Sequence, residues 1–232
     1  MCLNQIGTKY SHKTTYKPFN LKKNMKVLYI ETQKKEKNAK LSETALKNLP
    51  KELLLVYSIQ YKSQAGEIKK QLESNGFKII GFSQILGCTK LKLTQPVLLI
   101  GSGRFHALNL ALQSNHPIYI WNNGTINQIE QKEIEALKQK KQGNISKFLS
   151  AERIGILFST KTGQYNSKEE ILEKLMKKYT EKRFFFFISN NINPAEFENF
   201  KIDFWLNTAC PGLTNDSTKI ENIDDIFKEL LA

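Results

Sequence analysis

Two cysteines sit where this chain could do chemistry. Cys88 lies in GFSQILGCTK, residues 81–90, and Cys210 in NTACPGLTND, residues 207–216. Each comes directly after an apolar run and beside residues that turn the chain: Gly87 before Cys88, Pro211 and Gly212 after Cys210. A thiol so placed can be a small core residue, a nucleophile, or one ligand of a metal site whose other ligands lie far away in sequence. The wide separation excludes a local zinc finger or a C-x-x-C redox pair. Cys2, the third cysteine, belongs to a polar opening segment and is given no role.

Two further segments carry polar chemistry. IGSGRFHALNLAL, residues 100–112, reads as a strand end, a glycine turn and a helix start. Gly101 and Gly103 permit close backbone approach, Arg104 suits a carboxylate or phosphate, and His106 can donate, ligate or titrate. The same pattern also fits a tight structural turn. STKTGQYN, residues 159–166, follows the apolar ILF and offers Ser159, Thr160, Lys161, Gly163 and Gln164 to a polar ligand. It lacks the spacing of a nucleotide-binding P-loop and fits an ordinary polar loop as well. With only His12, His106 and His116 present, a histidine-rich catalytic site is not expected, and no Ser-His-Asp set or glycosidase-like carboxylate pair is visible.

The elements that must hold these residues alternate in type. After residues 1–24, read as a lead-in segment, KVLYIET (26–32), ELLLVYSIQ (52–60), FKIIGF (77–82), QPVLLIGSG (95–103) and HPIYIWNN (116–123) read as strands, with helices at SETALKNLP (42–50), QAGEIKKQLESNG (64–76) and FHALNLALQSN (105–115). Residues 125–150 read as a charged helix. A second alternation follows: strands RIGILFST, RFFFFISN and DFWLNTA, helices SKEEILEKLMKKY and PAEFENF, and a terminal helix near residues 223–231. This pattern predicts an α/β fold of two similar domains, each a mostly parallel sheet flanked by helices. The expected boundaries are 25–130 for the domain with Cys88, 131–150 for a helical connection and 151–232 for the domain with Cys210. Ligands of such sheets bind outside the carboxyl ends of the strands, which is where both cysteines fall.

Composition narrows the class. A hydrophobic fraction of 40% and a charged fraction of 25% describe an ordered globular protein. Three scattered cysteines without a secretory signal point to a reducing, cytoplasmic setting. No apolar stretch approaches the roughly 20 residues needed to cross a bilayer, so no membrane partner is expected. The formal charge of +13 is nearly all lysine, and it lacks the aromatic interleaving of a single-strand binding platform. It reads as solubility, coding bias or attraction to an acidic protein, with direct nucleic-acid binding the minority reading.

Taken together, QILGC at 84–88, VLLIGSGRFHALNLAL at 97–112, IGILFSTKTGQ at 154–164 and LNTACP at 206–211 resemble the archaeal diphthamide synthase catalytic subunit, in order and in separation. That family makes 2-(3-amino-3-carboxypropyl)histidine on translation elongation factor 2. It uses three similar α/β domains, each giving one cysteine to a central [4Fe–4S] cluster. The resemblance implies that Cys88 and Cys210 are the cluster ligands of the middle and last domains. Three thiolates leave one iron open to S-adenosylmethionine, whose reductive cleavage yields the 3-amino-3-carboxypropyl radical that adds to the target histidine. It places Gly101, Gly103, Arg104, His106, Ser159, Thr160, Lys161, Gly163 and Gln164 around the S-adenosylmethionine pocket.

The departures from the family pattern are specific. Ser102 stands where the family usually has Asp, and Gly212 where an Arg commonly follows C-P. The family's first domain, with its cysteine, has no counterpart here, and Met25 directly before the first expected strand is an alternative start. The expectation is one part of a split or truncated enzyme. A separate first-domain protein would supply the third cysteine, with an electron donor, a dimeric assembly and elongation factor 2 as further partners. The alternative is a non-catalytic accessory subunit of diphthamide synthesis that has lost the cluster.

Overall fold

The computed structural model describes residues 30–34, 39–91, 93–161, 164, 168–197, 199–215 and 219–231. The chain divides into two compact α/β units, and the boundary between residues 138 and 139 falls inside a helix.

The first unit holds a five-stranded sheet built from β1 (Glu52–Tyr57), β2 (Lys78–Gln84), β3 (Val97–Ile100), β4 (Ile118–Asn122) and β5 (Thr125–Gln128), in the order β2-β1-β3-β4-β5. The first four run parallel and β5 antiparallel. In β3 all four residues, VLLI, are buried, as a central parallel strand covered on both faces requires. Three helices flank this sheet: α1 (Glu43–Asn48), α2 (Lys62–Ser74) and α3 (Arg104–Ala111). Ser42 caps α1, its Oγ accepting from the Ala45 N–H at 3.1 Å. In α2, Ala65, Ile68 and Leu72 recur at helical spacing and pack on Leu53, Leu55, Leu98 and Ile100 of the sheet. The chain leaves α2 through Gly76, whose φ of 75° a side chain would strain. The opposite face, with Val56, Val97 and Leu99, is covered by Ala107, Leu110 and Ala111 of α3.

A 20-residue helix, α4 (Gln131–Ser150), leads into the second unit. There β6 (Arg153–Ser159), β7 (Arg183–Ser189), β8 (Phe204–Asn207) and β9 (Ile220–Asn222) form an all-parallel sheet in the order β7-β6-β8-β9. α5 (Glu169–Lys178) and α6 (Ile223–Leu231) pack beside it. Its core joins Ile145 and Phe148 of α4 with Ile154, Ile156, Leu172, Leu175, Phe204, Leu206 and Ile226. α5 carries Glu169 and Glu170 in its first turn and Lys177 and Lys178 in its last, the arrangement that its macrodipole favours.

The expected α/β architecture with mostly parallel sheets is present in both units. Three local expectations differ. Residues 26–29 of the first expected strand lie outside the described residues. Ile30–Lys34 form no strand: Ile30 is exposed, Glu31 pairs with Lys62 at 2.9 Å, and Lys34 donates from Nζ to the Tyr61 hydroxyl at 2.7 Å. Polar contacts to the chain after β1, not sheet pairing, hold that segment. Residues 125–128 are strand rather than helix, because Asn123 and Gly124 adopt φ of 49° and 93° and turn β4 back on itself. Pro194–Phe197 forms a 3₁₀ turn, and β9 is an additional strand.

The amino ends of β6 and β8 are tied by Asp203. Its carboxylate takes Arg153 N–H at 2.9 Å and two guanidinium bonds at 2.6 and 3.2 Å, which hold its pKa at about 2. A carboxylate whose folded pKa is depressed stabilises above its unfolded value, near 3.9, and loses that contribution as pH falls toward 2. The urea midpoint of Asp203→Asn is therefore expected below that of the unaltered protein at pH 6, with the gap closing between about pH 4 and about pH 2. A gap that does not change with pH would contradict this account.

Candidate functional site

Both sheets collect their chemistry-bearing turns at the carboxyl ends of parallel strands. In the first unit the strand order changes direction between β1 and β3, the place where open α/β sheets leave a crevice. Ser58 follows β1 and Gly101 follows β3, and a Cβ on Gly101 would lie 3.4 Å from the Ser58 hydroxyl oxygen. The ladder continues past the strand ends: Ser58 N–H donates to Ile100 O at 3.2 Å and Gly101 N–H to Trp121 O at 3.2 Å. Gly103, at φ 95°, opens α3 without a side-chain cap. Ser102 is exposed beside it.

Arg104 and His106 follow on α3. Arg104 is already engaged: its guanidinium makes a two-pronged contact with Glu133 of α4, Nε to Oε2 at 2.9 Å and Nη2 to Oε1. That contact lowers the Glu133 pKa. A ligand carboxylate at Arg104 has to compete with this fixed one. His106 is half-buried against the Phe105 ring, and burial lowers its pKa below the ordinary imidazole value, so it is neutral at pH 7.

Cys88 is exposed and in no disulfide. It occupies the turn after β2, whose Ile85 is buried and donates its N–H to Tyr57 O at 2.8 Å. The turn closes on itself through Thr89 N–H to Leu86 O at 3.0 Å and Leu86 N–H to Thr89 Oγ1 at 2.8 Å. It lies on α3, with Asn109 Nδ2 donating to Gly87 O at 3.0 Å.

In the second unit the corresponding switch of strand order lies between β6 and β8. Ser159, Thr160 and Lys161 leave β6. The Ser159 hydroxyl is buried, donates to Asn190 O at 3.2 Å and accepts from Lys161 N–H at 3.1 Å, so it shapes the loop from within. Thr160 and Lys161 are exposed, Gln164 is half-buried and its N–H donates to Lys161 O at 3.0 Å, and Gly163 lies outside the described residues.

Cys210 follows β8 and is half-buried, in no disulfide. Its turn is organised by Asn207, which is 2% exposed. Asn207 Nδ2 donates to Cys210 O at 2.8 Å and to Asn222 Oδ1 at 2.9 Å, and Asn207 Oδ1 accepts from Ala209 N–H at 3.0 Å. Thr208 donates from both N and Oγ1 to Leu157 O, at 3.1 and 2.8 Å. The two cysteines therefore do not hold equivalent places: Cys88 follows the edge strand β2, whereas Cys210 follows the inner strand at the switch, the place held in the first unit by the Gly101–Gly103 turn. Among the described residues no group of three or more His, Cys, Asp and Glu side chains gathers to hold a metal ion.

Residues 9–220 match the protein family described as "Putative diphthamide synthesis protein". The chain belongs to this diphthamide synthesis family. Among curated relatives it is similar to the 2-(3-amino-3-carboxypropyl)histidine synthase of Pyrococcus horikoshii, 29% identical over 186 residues that cover 74% of this chain and 53% of that protein. The protein of the same name from Methanocaldococcus jannaschii is 25% identical over 173 residues, 72% of this chain and 46% of the relative. This diphthamide-family chain thus spans about half the length of those relatives. The crystal structure of Dph2 from Pyrococcus horikoshii shares its fold, with a TM-score of 0.67 and 23% identity over 80% of this chain and 59% of that one. The structure of the same protein with a 4Fe-4S cluster gives 0.69 and 24%, over 80% and 58%.

Among the described residues each unit presents one thiol outside any disulfide, on a turn at the carboxyl edge of its sheet, and thiolate is the donor that iron–sulfur clusters take. The polar residues that build those turns, Asn109 and Asn207, were not singled out from the sequence. The signal for Asn207 was an Asn at the end of an otherwise apolar strand, FWLN, where a buried amide needs several partners.

Proposed function

We propose that this chain takes part in the first step of diphthamide biosynthesis, as the cysteine-bearing middle and last parts of an S-adenosylmethionine-dependent 3-amino-3-carboxypropyltransferase acting on elongation factor 2. In this reading residues 25–130 and 151–232 are the two domains, joined through the helix at 131–150. The observation that carries it is the pair of accessible thiols, Cys88 and Cys210, on carboxyl-edge turns of a chain that belongs to the diphthamide synthesis family. In this reading Cys88 and Cys210 are two thiolate ligands of a [4Fe–4S] cluster, and the third cysteine comes from the family's first domain, supplied by a partner protein. When bound, the cluster supplies an open iron position and the electron for cleaving S-adenosylmethionine.

The chain's own residues do the rest. The Gly101–Gly103 turn lets a ligand approach the backbone, His106 stays neutral as a hydrogen-bonding group, and Thr160, Lys161, Gly163 and Gln164, which follow β6 in sequence, take the polar part of the ligand. The positive charge of the chain steers it to an acidic protein surface. The contact between Arg104 and Glu133 favours the accessory reading, because the cation expected to take the substrate carboxylate already has one.

The test is transfer of label from carboxyl-labelled S-adenosylmethionine to elongation factor 2 under anaerobic, reducing conditions, with and without a first-domain protein. Labelling that needs both this chain and the added domain supports the split enzyme. Labelling by the partner alone, unchanged when this chain carries Cys210→Ala, would leave it the accessory role.

A further inference from the structure

The turn that presents Cys88 is braced from outside by one face of α3. Phe105, Asn109 and Gln113 succeed one another four residues apart and so project on one side of the helix and its final turn. The other side, with Ala107, Leu110 and Ala111, is anchored in the core. Phe105 lies so close over Gly87 that a Cβ there would come within 2.5 Å of the ring. Asn109 Nδ2 donates to Gly87 O at 3.0 Å. Gln113 Nε2 donates to Thr89 O at 3.3 Å, and its Oε1 accepts from Leu91 N–H at 3.1 Å. The backbone carbonyls immediately before and after Cys88 are thus held by two amides, one from α3 and one from the turn that ends it.

We infer that Asn109 and Gln113 are positioning residues for the Cys88 thiolate. The inference rests on the reading above, in which Cys88 is a cluster ligand. An exposed thiol on an unbraced turn has to be ordered by the metal itself, and the entropy lost in doing so weakens binding. Two bonds that flank the cysteine remove that loss beforehand without touching the sulfur. Residues that orient a ligand in this way typically change metal affinity by about 10- to 100-fold when replaced.

The experiment compares the full chain with Asn109→Leu/Gln113→Leu, and with Gln113→Met alone, a swap of similar shape at an exposed position that keeps the fold should the double variant lose it. Three quantities are read: the thermal midpoint, amide hydrogen exchange of a peptide covering residues 85–93, and the rate of iron release to a chelator after anaerobic reconstitution. Exchange in that peptide is expected to rise at least about 10-fold, and iron release by about 10- to 100-fold, with the midpoint of Gln113→Met unchanged. Iron release unaltered in a folded variant, whether or not exchange rises, overturns the positioning role alone. An unaltered chain that takes up no Cys88-dependent iron even with a first-domain protein present overturns the functional reading, and the inference with it.

Discussion

Replacing Gly155 by alanine is expected to destabilise the second unit by about 1–3 kcal/mol or more, the range for overpacking a filled core. Gly155 lies in β6, flanked by β7 and β8, and stands directly opposite Trp205 of β8. A Cβ there would come within 2.3 Å of two atoms of the Trp205 ring. The ring cannot swing aside, because it is 7% exposed and wedged between Phe187 and Phe197 at centroid distances of 4.8 and 5.2 Å. For a unit of this size each kcal/mol lowers the midpoint by about 4–8 °C. Thermal unfolding followed by tryptophan emission reads it, since Trp205 reports on the site itself. An unchanged midpoint would mean that the Gly155–Trp205 contact is slack.

The second large effect falls on the Cys210 turn. Asn207→Leu keeps the volume of a buried side chain but removes the partner of Ala209 N–H, of Asn222 Oδ1 and one of the two donors to Cys210 O, the other being Leu213 N–H at 3.1 Å. A fully buried group left unsatisfied costs about 1–3 kcal/mol, and the first two are part-buried, so a loss of about 1–2 kcal/mol is expected from them together. Urea unfolding gives the number, and the alkylation rate of Cys210 gives the local consequence, which should rise once its carbonyl is no longer pinned by the Asn207 amide. Asn222→Ala removes only one of these bonds and should lose less. Equal losses in the two variants would show that the pairing with Asn222, rather than the turn, carries the energy.

The alternation of elements was legible in the sequence because central parallel strands are apolar on both faces: VLLI and RIGILFS announce themselves without any knowledge of topology. The α5 helix was equally clear from its spacing, whereas the charged run of α4 was read as a helix that starts too early. What the sequence hid has physical reasons. The N-G at 123–124 is the strongest short hairpin signal, yet β5 is a polar four-residue edge strand, TINQ, that merges into the charged run after it. β9 is three residues long and is a strand only because β8 pairs with it.

The cysteines showed the limit of local reading. Both follow apolar runs, which suggested equivalent places, but only the strand order reveals that one follows an edge strand and the other the switch-point strand. Arg104 looked like an anion ligand because Glu133, its partner, is distant in sequence and on another helix. Asn109 and Gln113 were not singled out, because only the folded chain lays the Cys88 turn, distant in sequence, against them.

The most direct test of the account is iron and acid-labile sulfide per chain after anaerobic reconstitution, with the unaltered protein, Cys88→Ala and Cys210→Ala measured side by side, each with and without an added first-domain protein. The account predicts iron and sulfide in equal amounts in the unaltered protein with that domain present, and at least a 10-fold loss in either variant, as removal of a thiolate ligand should give. Iron content indifferent to both cysteines, or none taken up with the added domain present, would contradict it.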